Sequence, residues 1–293
     1  MSSTRSSISK GLAWRSPLRR SPPVTPRDAE PAVSARSLPP NDPILTPMKL
    51  LKLFRTLTLA VTAFASQADA SVVIAGTRVI FPSTEREVTI QLTNDSKRPA
   101  LVQAWLDDGD SRALPENIDV PFTLTPSMFR MEAGNGQTLR LVHTGEPLPA
   151  DRESLFWLNV LEVPPKAAAT ENRNRIQLAF RSRIKLMYRP AGLAGNADDA
   201  PMQVDWRVVR GDGGYALEAR NPTPYVVNFG NVQLKSGGRK HDAGMGYVLP
   251  RSTQRFPIKD LAGAPAAGST VEFGSINDWG RATDIERPVG VEP

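Results

Sequence analysis

The chain has 293 residues, with 36 Lys and Arg against 30 Asp and Glu, and it has no cysteine, which excludes a disulfide framework and thiol chemistry. The basic surplus is local: ten of the 36 cationic and four of the 30 acidic residues precede residue 71, and the remainder balances at 26 of each. A domain that binds nucleic acid carries a basic footprint, and residues 71–293 have no net charge, so no nucleic-acid partner is expected.

Residues 1–47 are rich in Ser, Pro and Arg without a hydrophobic period, the composition of a segment that buries no core. They read as a disordered leader or as an over-extended start, with Met48 the true one. From Met48 the chain runs Met-Lys-Leu-Leu-Lys-Leu-Phe-Arg, then an apolar stretch from Thr56 to Ala65, then Ala68-Asp69-Ala70. A basic start, a short apolar core and an Ala-x-Ala site make residues 48–70 a secretory signal peptide and predict a mature chain from Ser71. The stretch is well short of the roughly 20 residues that span a bilayer. Export points to the periplasm of a Gram-negative cell.

The mature chain reads as strands throughout. Val88 to Leu92 alternates, Leu101 to Leu106 is followed by the turn-forming Asp107-Asp108-Gly109-Asp110, and Thr138 to Val142 and Leu155 to Val160 come next. Lys166 to Arg175 reads as a loop. From Ile176 to Tyr188 apolar residues recur at every second position: Ile176, Leu178, Phe180, Ile184, Leu186 and Tyr188 share one parity, and Gln177, Arg181, Arg183 and Lys185 the other. This predicts one long strand with an oily face and a cationic face.

Pro190 to Pro201, rich in Ala, Gly and Asp, reads as the join between two halves. Beyond it, Val204 to Val209 and Tyr215 to Ala219 flank the hairpin signal Gly211-Asp212-Gly213-Gly214. Val226 to Leu234, Gln254 to Ile258 and Thr270 to Phe273 complete the strands. No window sustains a helical period, so the fold class is all-β, with two Ig-like β-sandwich domains, 71–190 and 191–293.

Enzymatic readings find little support. The two histidines, His143 and His241, lie near no nucleophile motif. Asp107, Asp108 and Asp110 resemble the start of a calcium loop but lack its spacing and terminal Glu, so they read as a solvated turn. Gly244-Met245-Gly246 is too short for a nucleotide fingerprint. No metal, cofactor or catalytic residue is expected.

Several ordered motifs carry a resemblance to a known family. They are Gly76-Thr77-Arg78 followed by Val79-Ile80-Phe81-Pro82, Leu124-Thr125-Pro126 leading into Phe129-Arg130, the segment Asp151-Arg152-Glu153-Ser154-Leu155-Phe156-Trp157, the run Lys185-Leu186-Met187-Tyr188-Arg189-Pro190, Asn221-Pro222-Thr223-Pro224-Tyr225, and Ile276-Asn277-Asp278-Trp279-Gly280. Together they resemble the periplasmic pilus chaperones of the chaperone-usher pathway, of the short-loop type. Ser127 stands where that family usually has a second Pro, and the Cys pair of some members is missing.

The resemblance implies two sandwiches in a boomerang arrangement. It also implies a chaperone that lends a strand to pilus subunits, both pilins and adhesin, caps them and delivers them to an outer-membrane usher, without ATP. By the same resemblance, Ile176, Leu178 and Phe180 form the donor strand, and Arg78 and Lys185 anchor the subunit's terminal carboxylate. Glu153, Arg189 and Asp278 form an interdomain ionic network. Self-association of the free protein is a further expectation, with Arg181 and Arg183 limiting it by repulsion. Taken without the resemblance, such an alternating strand is more often an ordinary half-buried one, and two such cations are more often solvated charges. The alternative function is a secreted Ig-like structural or adhesive module that keeps Ile176 to Phe180 in its own sheet.

Overall fold

The computed structural model describes residues 72–165, 177–211, 213–261 and 263–291, and its regular structure is strand apart from two single-turn 3-10 segments. The leader, the signal peptide, the loop at 166–175 and Ile176 lie outside the described residues.

Nine strands form the first half: β1 (Val72–Ile74), β2 (Arg78–Pro82), β3 (Glu87–Asn94), β4 (Ala100–Asp107), β5 (Phe122–Thr125), β6 (Met128–Met131), β7 (Gly136–His143), β8 (Ser154–Val163) and β9 (Phe180–Arg189). They make two sheets, in the orders β1-β3-β7-β5 and β2-β9-β8-β4-β6. Strand alternation decides what each sheet buries: in β3, Ile90 and Leu92 face inward while Thr89 and Gln91 face water. The sheets close over Phe81, Leu92, Val102, Leu139, Leu158 and Leu186, each at most 1% exposed.

The second half comprises β10 (Asp205–Gly211), β11 (Gly214–Arg220), β12 (Val227–Ser236), β13 (Arg239–Val248), β14 (Thr253–Pro257), β15 (Thr270–Ile276), β16 (Ala282–Pro288) and β17 (Gly290–Val291). Its sheets run β14-β11-β10-β17 and β13-β12-β15-β16 and enclose a separate core around Leu217, Val232, Leu234 and Phe273. Trp206 sits within it, its ring 5.2 Å from that of Phe273 and 5.3 Å from that of Phe229. Two separate cores, each shared by a pair of mostly antiparallel sheets, are two β-sandwich domains.

The sequence signalled β13 poorly, because its ten residues include few apolar ones and two glycines. Packing explains Gly246: a Cβ there would lie 2.9 Å from the Phe256 ring. A polar residue organises the turn before β12. Asn221, fully buried, donates from Nδ2 to the Tyr225 and Leu249 carbonyls (2.7 and 3.0 Å), and its Oδ1 accepts from the Thr223 amide and hydroxyl. Asn221→Ala orphans these groups in a dry site. It is expected to destabilise the protein by about 2–4 kcal/mol in urea unfolding.

Candidate functional site

β9 is paired unequally along its two edges. It runs antiparallel to β8 from Phe180 to Tyr188, but β2 joins its other edge, in parallel, only from Lys185 to Arg189. Among the described residues, no strand covers the second edge of 180–184. The even-numbered side chains divide at the same point. Leu186 is fully buried and Ile184 and Tyr188 pack against the first core, whereas Phe180 is 61% and Leu178 58% exposed.

The expected strand from Ile176 is corrected at its start. Residues 177–179 are not in a strand, and the Gln177 amide reaches across to the Pro164 carbonyl at 2.8 Å. Ile176 itself falls outside the described residues.

Arg78 and Lys185 are register partners where β2 begins. Lys185 Nζ donates to Asn228 Oδ1 at 2.5 Å and lies 4.4 Å from the Tyr247 ring and 5.5 Å from that of Trp157. Arg78 Nη1 donates to the Ile276 carbonyl at 2.9 Å, while its buried Nε has no acceptor among the described residues. Neither cation belongs to an ion pair there. Burial, and secondarily the Arg78 charge, lowers the Lys185 pKa to about 8. Burial also lowers that of Arg78, against the more distant pull of Asp278. Two adjacent cations, half withdrawn from water and with unused N–H groups, are suited to one anionic acceptor such as a carboxylate.

The structure also brings Glu153, Arg189 and Asp278 together. Arg189 Nε donates to Glu153 Oε1 at 2.6 Å, and its two terminal nitrogens donate to the Asp278 oxygens at 2.7 and 3.0 Å. Glu153 Oε2 accepts the Val226 amide at 2.7 Å, so this carboxylate bridges the two sandwiches. Burial pushes the Glu153 carboxyl up, opposed by Arg189 and the Val226 amide. Burial opposes the Arg189 charge as well, but hydrogen bonds to Asp278 and Glu153 outweigh it and keep the guanidinium firmly protonated. The turn that carries Asp278 closes on the first sandwich through Gly280 (φ +81°), where a Cβ would lie 2.6 Å from Thr77 Oγ1.

Two expectations for the cationic face of β9 are corrected. Asp107 is not solvated: it is fully buried, and Arg183 grips its two oxygens at 2.5 and 2.9 Å. Arg181 and Arg183 are therefore not free charges repelling another copy. Arg181 is itself bound to Asn159 Oδ1 at 2.7 and 2.9 Å. Asp108 and Asp110 remain exposed, and no metal-binding cluster of His or acidic residues occurs among the described residues.

Sequence reasoning missed Asn228, Tyr247 and Trp157 around Lys185. Asn228 alone left a trace, as a polar residue facing out of the apolar Val226-Val227-Asn228-Phe229 run.

Residues 71–194 match the model of the pili and flagellar-assembly chaperone, PapD N-terminal domain, and residues 199–287 that of the pili assembly chaperone PapD, C-terminal domain. The chain belongs to this family of pilus-assembly chaperones, which is not enzymatic. It is 44% identical over 225 residues to the probable fimbrial chaperone YadV of Escherichia coli K12, covering 76% of this chain and 91% of that one. The crystal structure of Pseudomonas aeruginosa CupB2 chaperone aligns with a TM-score of 0.63 and 40% identity, over 74% of this chain and all of that one. The Salmonella enterica SafB chaperone, seen in complex with the SafA pilin, aligns with a TM-score of 0.61 and 28% identity, over 74% and 96% of the two chains. The alternative of a secreted structural or adhesive module is not favoured.

Asn228→Asp tests the electrostatics of the cation pair. A carboxylate at the position of Asn228 Oδ1 is expected to raise the Lys185 pKa above about 8, measured by NMR titration of the lysine side chain. An unchanged pKa would show that Lys185 is not electrostatically coupled to this position.

Proposed function

We propose that the mature chain is exported to the periplasm, binds pilus subunits one to one by lending them, as an added strand, the segment that leads into β9 at Phe180, and passes them to an outer-membrane usher. One observation carries this reading. Two exposed apolar side chains, Leu178 just before β9 and Phe180 at its start, adjoin a half-open strand edge, and a cation pair lies where β2 closes that edge. A subunit that lacks a strand offers an apolar groove with unpaired backbone groups, and β-strand addition satisfies both. Filling the groove with Leu178 and Phe180, joined by Ile176 through the family resemblance, contributes about 1.5–3 kcal/mol per side chain.

Arg78 and Lys185 hold the subunit's terminal carboxylate. Such an anchor matters because a one-residue slip turns every side chain to the opposite face, and charge-assisted hydrogen bonds are about twice as strong as neutral ones. Glu153, Arg189 and Asp278 keep the two sandwiches in fixed relation while the subunit is bound. The pairing of SafB with a pilin supports a subunit as the ligand.

Co-expression of residues 71–293 with a pilin subunit tests the reading. Lys185→Ala is expected to remain folded and to recover no subunit, and normal recovery would refute the anchor. Wild-type affinity is expected to fall as the pH rises through about 8, because Lys185 loses the charge that attracts the carboxylate. Lys185→Arg is expected to bind evenly across the same range. The free protein changes in the opposite sense. A lysine whose pKa is lowered by folding releases its proton more readily in the folded state, so stability rises from about pH 8 towards the unfolded lysine value.

Leu178→Glu probes the strand. A charge forced into an apolar groove costs several kcal/mol, yet at a side chain 58% exposed it costs the free protein little. Lost subunit binding with a nearly unchanged melting temperature is expected. A large drop in melting temperature would place Leu178 in this chain's own core.

A further inference from the structure

The exposed edge of β9 has a support that its backbone pairing does not supply. From Phe180 to Ile184 the strand is bonded along one side only, to β8, and segments with few backbone partners open readily. On the outer face of the sheet this stretch is tied down by side chains. Arg183 reaches over β8 to the buried carboxylate of Asp107 at the end of β4, with both oxygens engaged. Asp107 Oδ2 also accepts from Asn159 Nδ2 at 2.7 Å, and Asn159 Oδ1 in turn receives Arg181. Further bonds run from Arg181 Nη1 to the Ser111 carbonyl (2.7 Å) and from Arg183 Nη2 to the Gly109 carbonyl (3.1 Å). The guanidinium groups lie over Trp105 and Trp157, at 4.8 and 4.0 Å from the ring centroids.

We propose that Asp107 is a positioning residue for the donor strand, locking Arg181 and Arg183 to the outer face so that Phe180 is presented on the other. Successive side chains of a strand point to opposite faces, so fixing the two arginines fixes the facing of their neighbours. A fully buried carboxylate that the sandwich core does not use, gripped by a planar two-point fork, sets both the height and the rotation of the strand. The subunit then meets a strand already in its binding geometry, and ordering entropy is not subtracted from affinity. This inference rests on the donor-strand reading above.

Asp107→Asn keeps the volume and removes the charge. Hydrogen exchange of residues 71–293 is expected to accelerate about tenfold or more at those amides of 180–184 that bond to β8. Amides of 185–189 and of β12 are expected to stay as protected as in the wild type. Co-expressed subunit is expected to be recovered in reduced yield. Unchanged exchange at 180–184, or an equal rise everywhere, would overturn the positioning role, the latter by showing a merely structural one. Should the Asn variant not accumulate, Arg183→Lys keeps the charge but loses the fork, and the same local acceleration is expected. If the wild type recovers no subunit, the donor-strand reading fails and this inference with it. If the wild type recovers subunit and Asp107→Asn matches it in exchange and yield, only the positioning role fails.

Discussion

Everything functional in this molecule follows from where the first strand changes sheets. β1 belongs with β3, but three residues later β2 belongs with β9, so the chain crosses between the two layers at Ala75 to Thr77. The Ala75 amide still bonds to the Gln91 carbonyl of the first sheet, and Gly76 turns at φ +145°, a conformation that side chains other than glycine's rarely adopt. Because β2 starts only at Arg78, it covers β9 only from Lys185 onward. A continuous first strand on β9 would have closed the edge. An open edge is a liability in a soluble protein, and here it is confined to a few residues.

The distribution of charge partners divides the cations near the joint into two groups. Arg189 has two carboxylates and Arg183 has one, each with well-formed bonds that repay the removal of charge from water. Arg78 and Lys185, comparably withdrawn from solvent, have a carbonyl and an amide oxygen instead. Aromatic faces at Tyr247 and Trp157 soften the deficit at Lys185 without removing it. The site is thus defined by what its cations lack.

The period-2 pattern made most strands legible, because inward residues must alternate where one face is wet. It failed at β13, where two glycines interrupt the pattern: Gly246 because Phe256 packs against it, and Gly244 because its φ is +90°. Arg78, Lys185, Glu153, Arg189 and Asp278 could be named from motifs, but the local sequence around them holds no sign that three meet while two have no ion-pair partner among the described residues. Asp107 was misread since Asp-Asp-Gly-Asp is turn chemistry, and its partner Arg183 lies far along the chain. Tyr247 contributes through tertiary approach alone, and Asn228 left only the trace of a polar residue in an apolar run. The even-numbered residues of β9 were read as one face, which is geometrically correct. That face divides between the protein's own core and solvent because β2 begins only at Arg78, opposite Lys185.

The two cations at the open edge are also rivets of the joint between sandwiches, since Arg78 grips the Ile276 carbonyl and Lys185 grips Asn228. A carboxylate held by them, as proposed, would act on the joint between the sandwiches as well as on the strand. Linkage makes that traffic reciprocal: whatever an arriving carboxylate does to the rigidity of the joint, a change in the joint returns to the affinity by the same factor. The far sandwich, which lends no strand, is in this way a lever on how firmly the near one holds its cargo.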